Sequence, residues 1–213
     1  ATLAIPLALD ARMTSAAWAL EGAALVWVGV RQQRLGPRVF GLLLQAAAGI
    51  AFALGLSVWT HRLVGGSLPV LNSDCIGALL VALGGVITAR VMARAPSITG
   101  TERVIVPVLF GWGVLWWLGA GVREIERLVA PDARIPALVM FVAASAALFE
   151  AVAKRLDWPL ARVPALALPP AMLLIAVYRI AAVHAGADHL LEGVGALAWP
   201  FALAVQVMLL RRF

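Results

Sequence analysis

Apolar residues fall in seven long blocks along this chain, at about 13–30, 39–59, 75–93, 104–122, 135–153, 167–185 and 193–210. A helix needs about 20 mainly apolar residues to cross the hydrocarbon core of a bilayer, so the pattern predicts seven transmembrane helices. Within the blocks Ala, Leu and Gly mix without the period-two alternation of membrane strands. The expected fold is therefore all-α and integral to the membrane. It is an up-and-down bundle over residues 1–213, with short links on one side and longer loops on the other.

Composition sharpens that picture. The chain is 63% hydrophobic and 13% charged, whereas a soluble domain is about half apolar and about a quarter charged. A soluble fold still leaves much of its surface in water and cannot hide that excess. The net charge of +6 does not indicate nucleic acid, because the basic residues are spread between apolar blocks and not gathered on one run. Cys75 is the single cysteine, which excludes an internal disulfide and a cysteine-based zinc site. No cofactor is expected.

The basic residues order the loops. Cytoplasmic loops carry the excess of Arg and Lys. Arg31, Arg34, Arg38, Arg90, Arg94, Arg103, Lys154, Arg155, Arg162, Arg211 and Arg212 fall on one side, and Arg12, Arg62, Arg123, Arg127 and Arg134 on the other. The 31–38 loop is thus expected to be cytoplasmic. The opposite loops hold Asp74, Glu124, Glu126, Asp132, Asp188 and Glu192. The stretch Arg123–Arg127 reads as a solvated, self-neutralising helix end. Trp59, Trp116, Trp117 and Trp158 stand near helix ends, where an indole suits the headgroup layer.

Several stretches, in order along nearly the whole chain, resemble a bacterial family of membrane proteins known as domain of unknown function 2339. They are Ile5-Pro6-Leu7, Trp18 to Trp27, Trp116-Trp117-Leu118-Gly119-Ala120-Gly121 with Glu124-Ile125-Glu126-Arg127, Asp157-Trp158-Pro159 and Ala198-Trp199-Pro200. The resemblance implies a multi-pass protein of the bacterial inner membrane, and a longer chain of which these residues are a fragment. Its implied partners are the lipid bilayer and the remaining helices of that chain. It implies no reaction and no catalytic residue.

Three polar residues interrupt the apolar blocks. Glu21 lies near the middle of the first, where a charged side chain costs about 2.5–3.5 kcal/mol on insertion scales. It is expected to be protonated, paired or turned to a cavity, as a proton or cation site or as a hydrogen-bond anchor. Gln45 shares a helix face with Gly41 and Gly49, a pattern that lets a second helix approach and bond the amide. Ser15, Ala19 and Ala23 form a similar small-residue stripe, as do Ala143 and Ala147. Arg179 can snorkel to the interface or pair with Glu21. Glu150 stands four residues before Lys154, the favourable order for a helical pair.

His184, Asp188, His189 and Glu192 gather in the last outer loop, in a spacing that matches no recognised zinc pattern. Pro169-Pro170 suits a first helical turn, and Pro200 falls inside the seventh block. A retinal Schiff base is excluded, since Lys154, the single lysine, lies in a loop. Three functions remain: a structural or assembly component of the envelope, a transporter or lipid flippase using Glu21, and an intramembrane enzyme using the His184–Glu192 loop. No nucleophile motif or phosphate loop supports the third.

Overall fold

The computed structural model describes residues 11–58, 68–183 and 191–211, and within them the side chains other than those of 11–13, 56–58, 179, 182 and 183. Among the described residues seven α-helices stand where the apolar blocks lie: α1 (Ala11–Arg31), α2 (Leu35–Val58), α3 (Ser73–Arg94), α4 (Gly100–Leu128), α5 (Arg134–Arg155), α6 (Val163–Val183) and α7 (Gly195–Leu210). Short 3-10 turns at Pro131–Ala133 and Pro159–Arg162 lead into α5 and α6. Among the described residues there is no strand. The segments Leu35–Gly55, Ser73–Arg94, Gly100–Leu128, Pro131–Arg155 and Pro159–Tyr178 are long and apolar enough to cross a membrane, and α7 is a shorter apolar helix. The chain is an all-α membrane protein.

Two helix limits differ from the sequence pattern. α4 runs on to Leu128 because the charged stretch 123–127 stays helical. Its end is held by Arg134, whose Nε and Nη2 donate to the carbonyls of Val129 (3.1 Å) and Glu126 (2.9 Å). α6 starts at Val163, since the preceding 3-10 turn winds the chain early. Pro169 and Pro170 therefore lie inside α6 and not in its first turn.

Helix ends use local chemistry. α1 and α5 both close with paired backbone bonds that wrap the last turn. Arg34 N–H donates to Gly29 O (2.9 Å) and Gln33 N–H to Val30 O (3.2 Å). Trp158 N–H donates to Ala153 O (2.9 Å) and Asp157 N–H to Lys154 O (3.4 Å). This closure needs one left-handed residue, usually glycine. Here Gln33 (φ 55°) and Asp157 (φ 46°) take it. Asn72 caps α3 by accepting from Cys75 N–H.

The chain divides into two compact units, residues 1–124 and 125–213. In the first, α1 lies along α2 and α3 at backbone contact. A methyl on Gly22 would stand 2.6 Å from Gly41 O, and one on Gly41 2.5 Å from Gly22 O. Ser15, Ala19 and Ala23 are all buried in this seam, as their stripe predicts. Aromatic packing closes the core further along: Phe52 and Trp112 each meet Trp116 edge-on, at ring-centre distances of 5.5 and 5.7 Å. Trp116 is thus partly buried against the core. In the second unit α5, α6 and α7 share a core of Val139, Ala143, Ala146, Ala165, Leu168, Met172, Ala202, Val205 and Leu209. Trp158 is 4% exposed and is enclosed by the protein at the end of α5, where its backbone N–H bonds Ala153 O. Trp59 lies outside the described residues.

Candidate functional site

A polar construction sits where the α1–α2 and α3–α4 links meet, in the first unit. Arg38, in the first turn of α2, is 4% exposed. Its Nη1 donates to both carboxylate oxygens of Glu102 (3.0 and 3.2 Å). Its Nη2 donates to Ser97 Oγ (3.3 Å) and its Nε to Gly29 O (3.2 Å). Each bond answers a local need. Gly29 O belongs to the last turn of α1, where unpaired carbonyls favour a cation. Glu102 stands in the first turn of α4, where a carboxylate is favoured. Thr99 N–H donates to Glu102 Oε2 (2.8 Å), and Glu102 N–H to Thr99 Oγ1 (3.3 Å), a reciprocal box at the helix start. One guanidinium thus joins the end of α1 to the start of α4.

A second polar pair lies deeper. Gln45 is 3% and Thr88 0% exposed, and Gln45 Nε2 donates to Thr88 Oγ1. The bond crosses from α2 to α3 within the glycine-packed seam. Thr88 is a partner that the sequence did not single out, and the flanking Gly41 and Gly49 admit α1 and Trp112 of α4 and not the helix that takes the amide. Gln45 Oε1 and the Trp116 indole nitrogen are buried without a partner among the described residues.

Glu21 does not join that pair. It is the central residue of α1 and lies on the exposed face of the helix, whereas its neighbour Gly22 touches Gln45 Cγ and Gly41 O. Among the described residues Glu21 makes no hydrogen bond or ion pair. The side chain of Arg179 and residues His184, Asp188 and His189 lie outside the described residues. Glu192 is described and exposed. Groups of acidic residues, histidine and cysteine able to hold a metal ion are absent among the described residues.

Two carboxylates have roles that the sequence reading missed. Glu124 accepts from Val70 N–H (2.9 Å) and from Asn72 Nδ2 (2.8 Å). It therefore ties down the link before α3, a role beyond that of a solvated helix end. The same link holds Val70 at φ 64°, a region that β-branched residues avoid. Glu150 is 1% exposed in the second unit and stands 3.5 Å from Arg162 Nε and 4.0 Å from Lys154 Nζ. Neither of its oxygens is hydrogen-bonded. Lys154 was the expected partner; Arg162 comes from the turn before α6.

A signal for one of these sites was available. Thr99-Gly100-Thr101-Glu102 has the S/T-x-x-E spacing of a capping box ahead of an apolar run. Nothing local marks Arg38 as buried, since it sits among other arginines in a polar link.

Comparison with curated proteins and with solved structures returns no match. The family described as predicted membrane protein, DUF2339, matches residues 1–213. The ordered motifs, the apolar helices and this match agree, and the chain belongs to the DUF2339 family of membrane proteins.

Proposed function

We propose that this chain is a structural or assembly component of the bacterial cell envelope, seated in the inner membrane with the 31–38 loop on the cytoplasmic side. One observation carries the reading. The intramembrane amide Gln45 bonds Thr88 in a closed seam, and Glu21 faces away from it. A transport path would bring such groups together on a water-reachable cavity. Supporting the same reading, Arg38 clamps two helix ends with four hydrogen bonds, which favours rigidity over motion. The excess of basic residues in the 31–38, 94–103 and 154–162 links supports the orientation.

The test uses the full-length protein in proteoliposomes and in a deletion strain. The expected results are no proton, cation or lipid flux above empty vesicles, and an envelope defect in the deletion strain that the unaltered protein restores. Flux that Glu21→Gln abolishes would replace the scaffold with a transporter. A reporter fused after Arg34 is expected to show cytoplasmic activity.

A further inference from the structure

Packing fixes the depth of Glu21. α1 lies against α2 at Gly22–Gly41 and against α3 at Ala19–Gly84. Gln45, which Gly22 touches, is close to the centre of α2, and Gly84 close to the centre of α3. Both helices are apolar enough to span a bilayer. At the end of α1, Arg31 stacks on Trp27 with its guanidinium 5.4 Å from the ring centre, a pair suited to the headgroup layer. Glu21 lies about ten residues away, or about 15 Å at the helical rise, half of a hydrocarbon core about 30 Å thick. Its carboxylate is thus exposed at mid-depth.

The face around it is unlike a lipid-facing one. α2 turns Phe40, Leu43, Ile50 and Leu54 outward, each at least 55% exposed. α1 instead shows Glu21 and Ala24, with the half-buried Ala17 and Val28, along one strip flanked by Trp18 and Trp27. Small side chains beside a polar one are the surface that admits a second helix, and lipid offers a carboxylate at this depth no partner.

We infer that this face of α1 is a docking seam for a transmembrane helix of a partner protein that carries a basic side chain at the middle of the bilayer. The occupant follows from charge: an acidic group in hydrocarbon is compensated by a cation on the helix that covers it. This deepens the scaffold reading and rests on it, since it names the surface through which the chain holds a partner.

The test is photocrosslinking in cells that express the full-length protein, with a benzophenone amino acid at Ala24 or, as lipid-facing controls, at Leu43 or Ile50. The expected result is a discrete protein adduct from Ala24 and none from the controls. Peptide mapping is expected to place the adduct on an apolar helix with Lys or Arg near its middle. Glu21→Gln should lower the yield about tenfold, the factor that 1.4 kcal/mol of lost pairing gives, and Glu21→Asp should keep it. Because Glu21 is exposed, melting of both variants in detergent should match the parent, which separates loss of docking from loss of fold. The inference is overturned if Ala24 behaves as Leu43 does, if Glu21→Gln leaves the adduct unchanged, or if the mapped helix has no basic residue. Flux in proteoliposomes together with a Glu21-dependent adduct would sink the scaffold reading and keep the seam. Neither flux nor adduct would do the reverse.

Discussion

Arg38 Nη1 stands 3.0 and 3.2 Å from the two carboxylate oxygens of Glu102, although the residues are 64 positions apart. Arg38 also donates to Gly29 O (3.2 Å), so one side chain serves as ion-pair partner and as helix cap. Its side chain is 5% exposed and that of Glu102 14%. Removing one member of such a pair strands the other. Arg38→Met is expected to lower stability by about 2–4 kcal/mol, read as a fall in melting temperature in detergent. Arg38→Met with Glu102→Met should recover part of that loss. The exchange Arg38→Glu with Glu102→Arg should not, because the Thr99 box and Gly29 O each require the original charge.

The buried ion pair in the second unit should behave differently. Glu150 is 1% exposed, but its partners Lys154 and Arg162 are 44% and 40% exposed. After Glu150→Met both cations can turn to water. The carboxylate also makes no hydrogen bond that would be lost. The expected change is within about 1 kcal/mol of the parent, since a buried pair is often matched by an apolar residue of similar volume. A loss as large as that of Arg38→Met would show that Glu150 has a partner beyond the two cations.

The α1–α2 seam should tolerate no added volume. A methyl at Gly22 would meet Gly41 O at 2.6 Å and Gln45 Cγ at 2.7 Å. Backbone cannot yield as a flexible side chain does. Gly22→Ala is expected to destabilise by about 1–3 kcal/mol, the usual effect of overpacking. Gly36, which a methyl would leave clear of neighbours, is the control and should change little under Gly36→Ala. Thermal melts of the two variants check the contrast.

Left-handed positions offer the opposite sign. Asp157 (φ 46°) closes α5 in a conformation that favours glycine. Its charge also sits at the negative end of the helix. Asp157→Gly is expected to raise stability by about 1 kcal/mol. Gln33→Gly should act in the same direction, without the charge contribution. Melting temperatures of both variants and of the double variant test this, and the two effects should add because the sites lie in different units.

Glu124 is expected to hold the link before α3 in place. Glu124→Ala removes the acceptor for Val70 N–H and Asn72 Nδ2. Cleavage by an added protease should rise in residues 68–72, with little change elsewhere. Asn72→Ala should add the loss of the α3 cap, about 1 kcal/mol.

The residues themselves explain why some of this was legible and some was not. Gln45 among Gly41 and Gly49 announced a helix contact, because spacing of four on one helix is a local property. Ser15, Ala19 and Ala23 did so for the same reason. Arg38 looked like one more loop arginine, and Glu102 like a charged residue at a helix start. Their union depends on two links from distant parts of the chain arriving at one end of the bundle. Glu150 looked like the first half of an ordinary helical pair. Its burial and its second cation come from the turn before α6. The tryptophans near helix ends were placed by position along the helix, but direction around the axis decides whether an indole meets lipid or core. For Trp116 and Trp158 it meets core.

By itself the sequence determined the solvent, the helices and their order. Apolar runs of bilayer length admit no other stable backbone in hydrocarbon, where every N–H and C=O must bond within its own segment. Tertiary structure alone decided which polar residues are enclosed and with whom. Among membrane helices no hydrophobic force selects one face over another, so close fit and individual hydrogen bonds do. That is why Gly22 and Gly41 set the α1–α2 contact, why Thr88 receives the Gln45 amide, and why Glu21, centred in the first helix, was left on the outside.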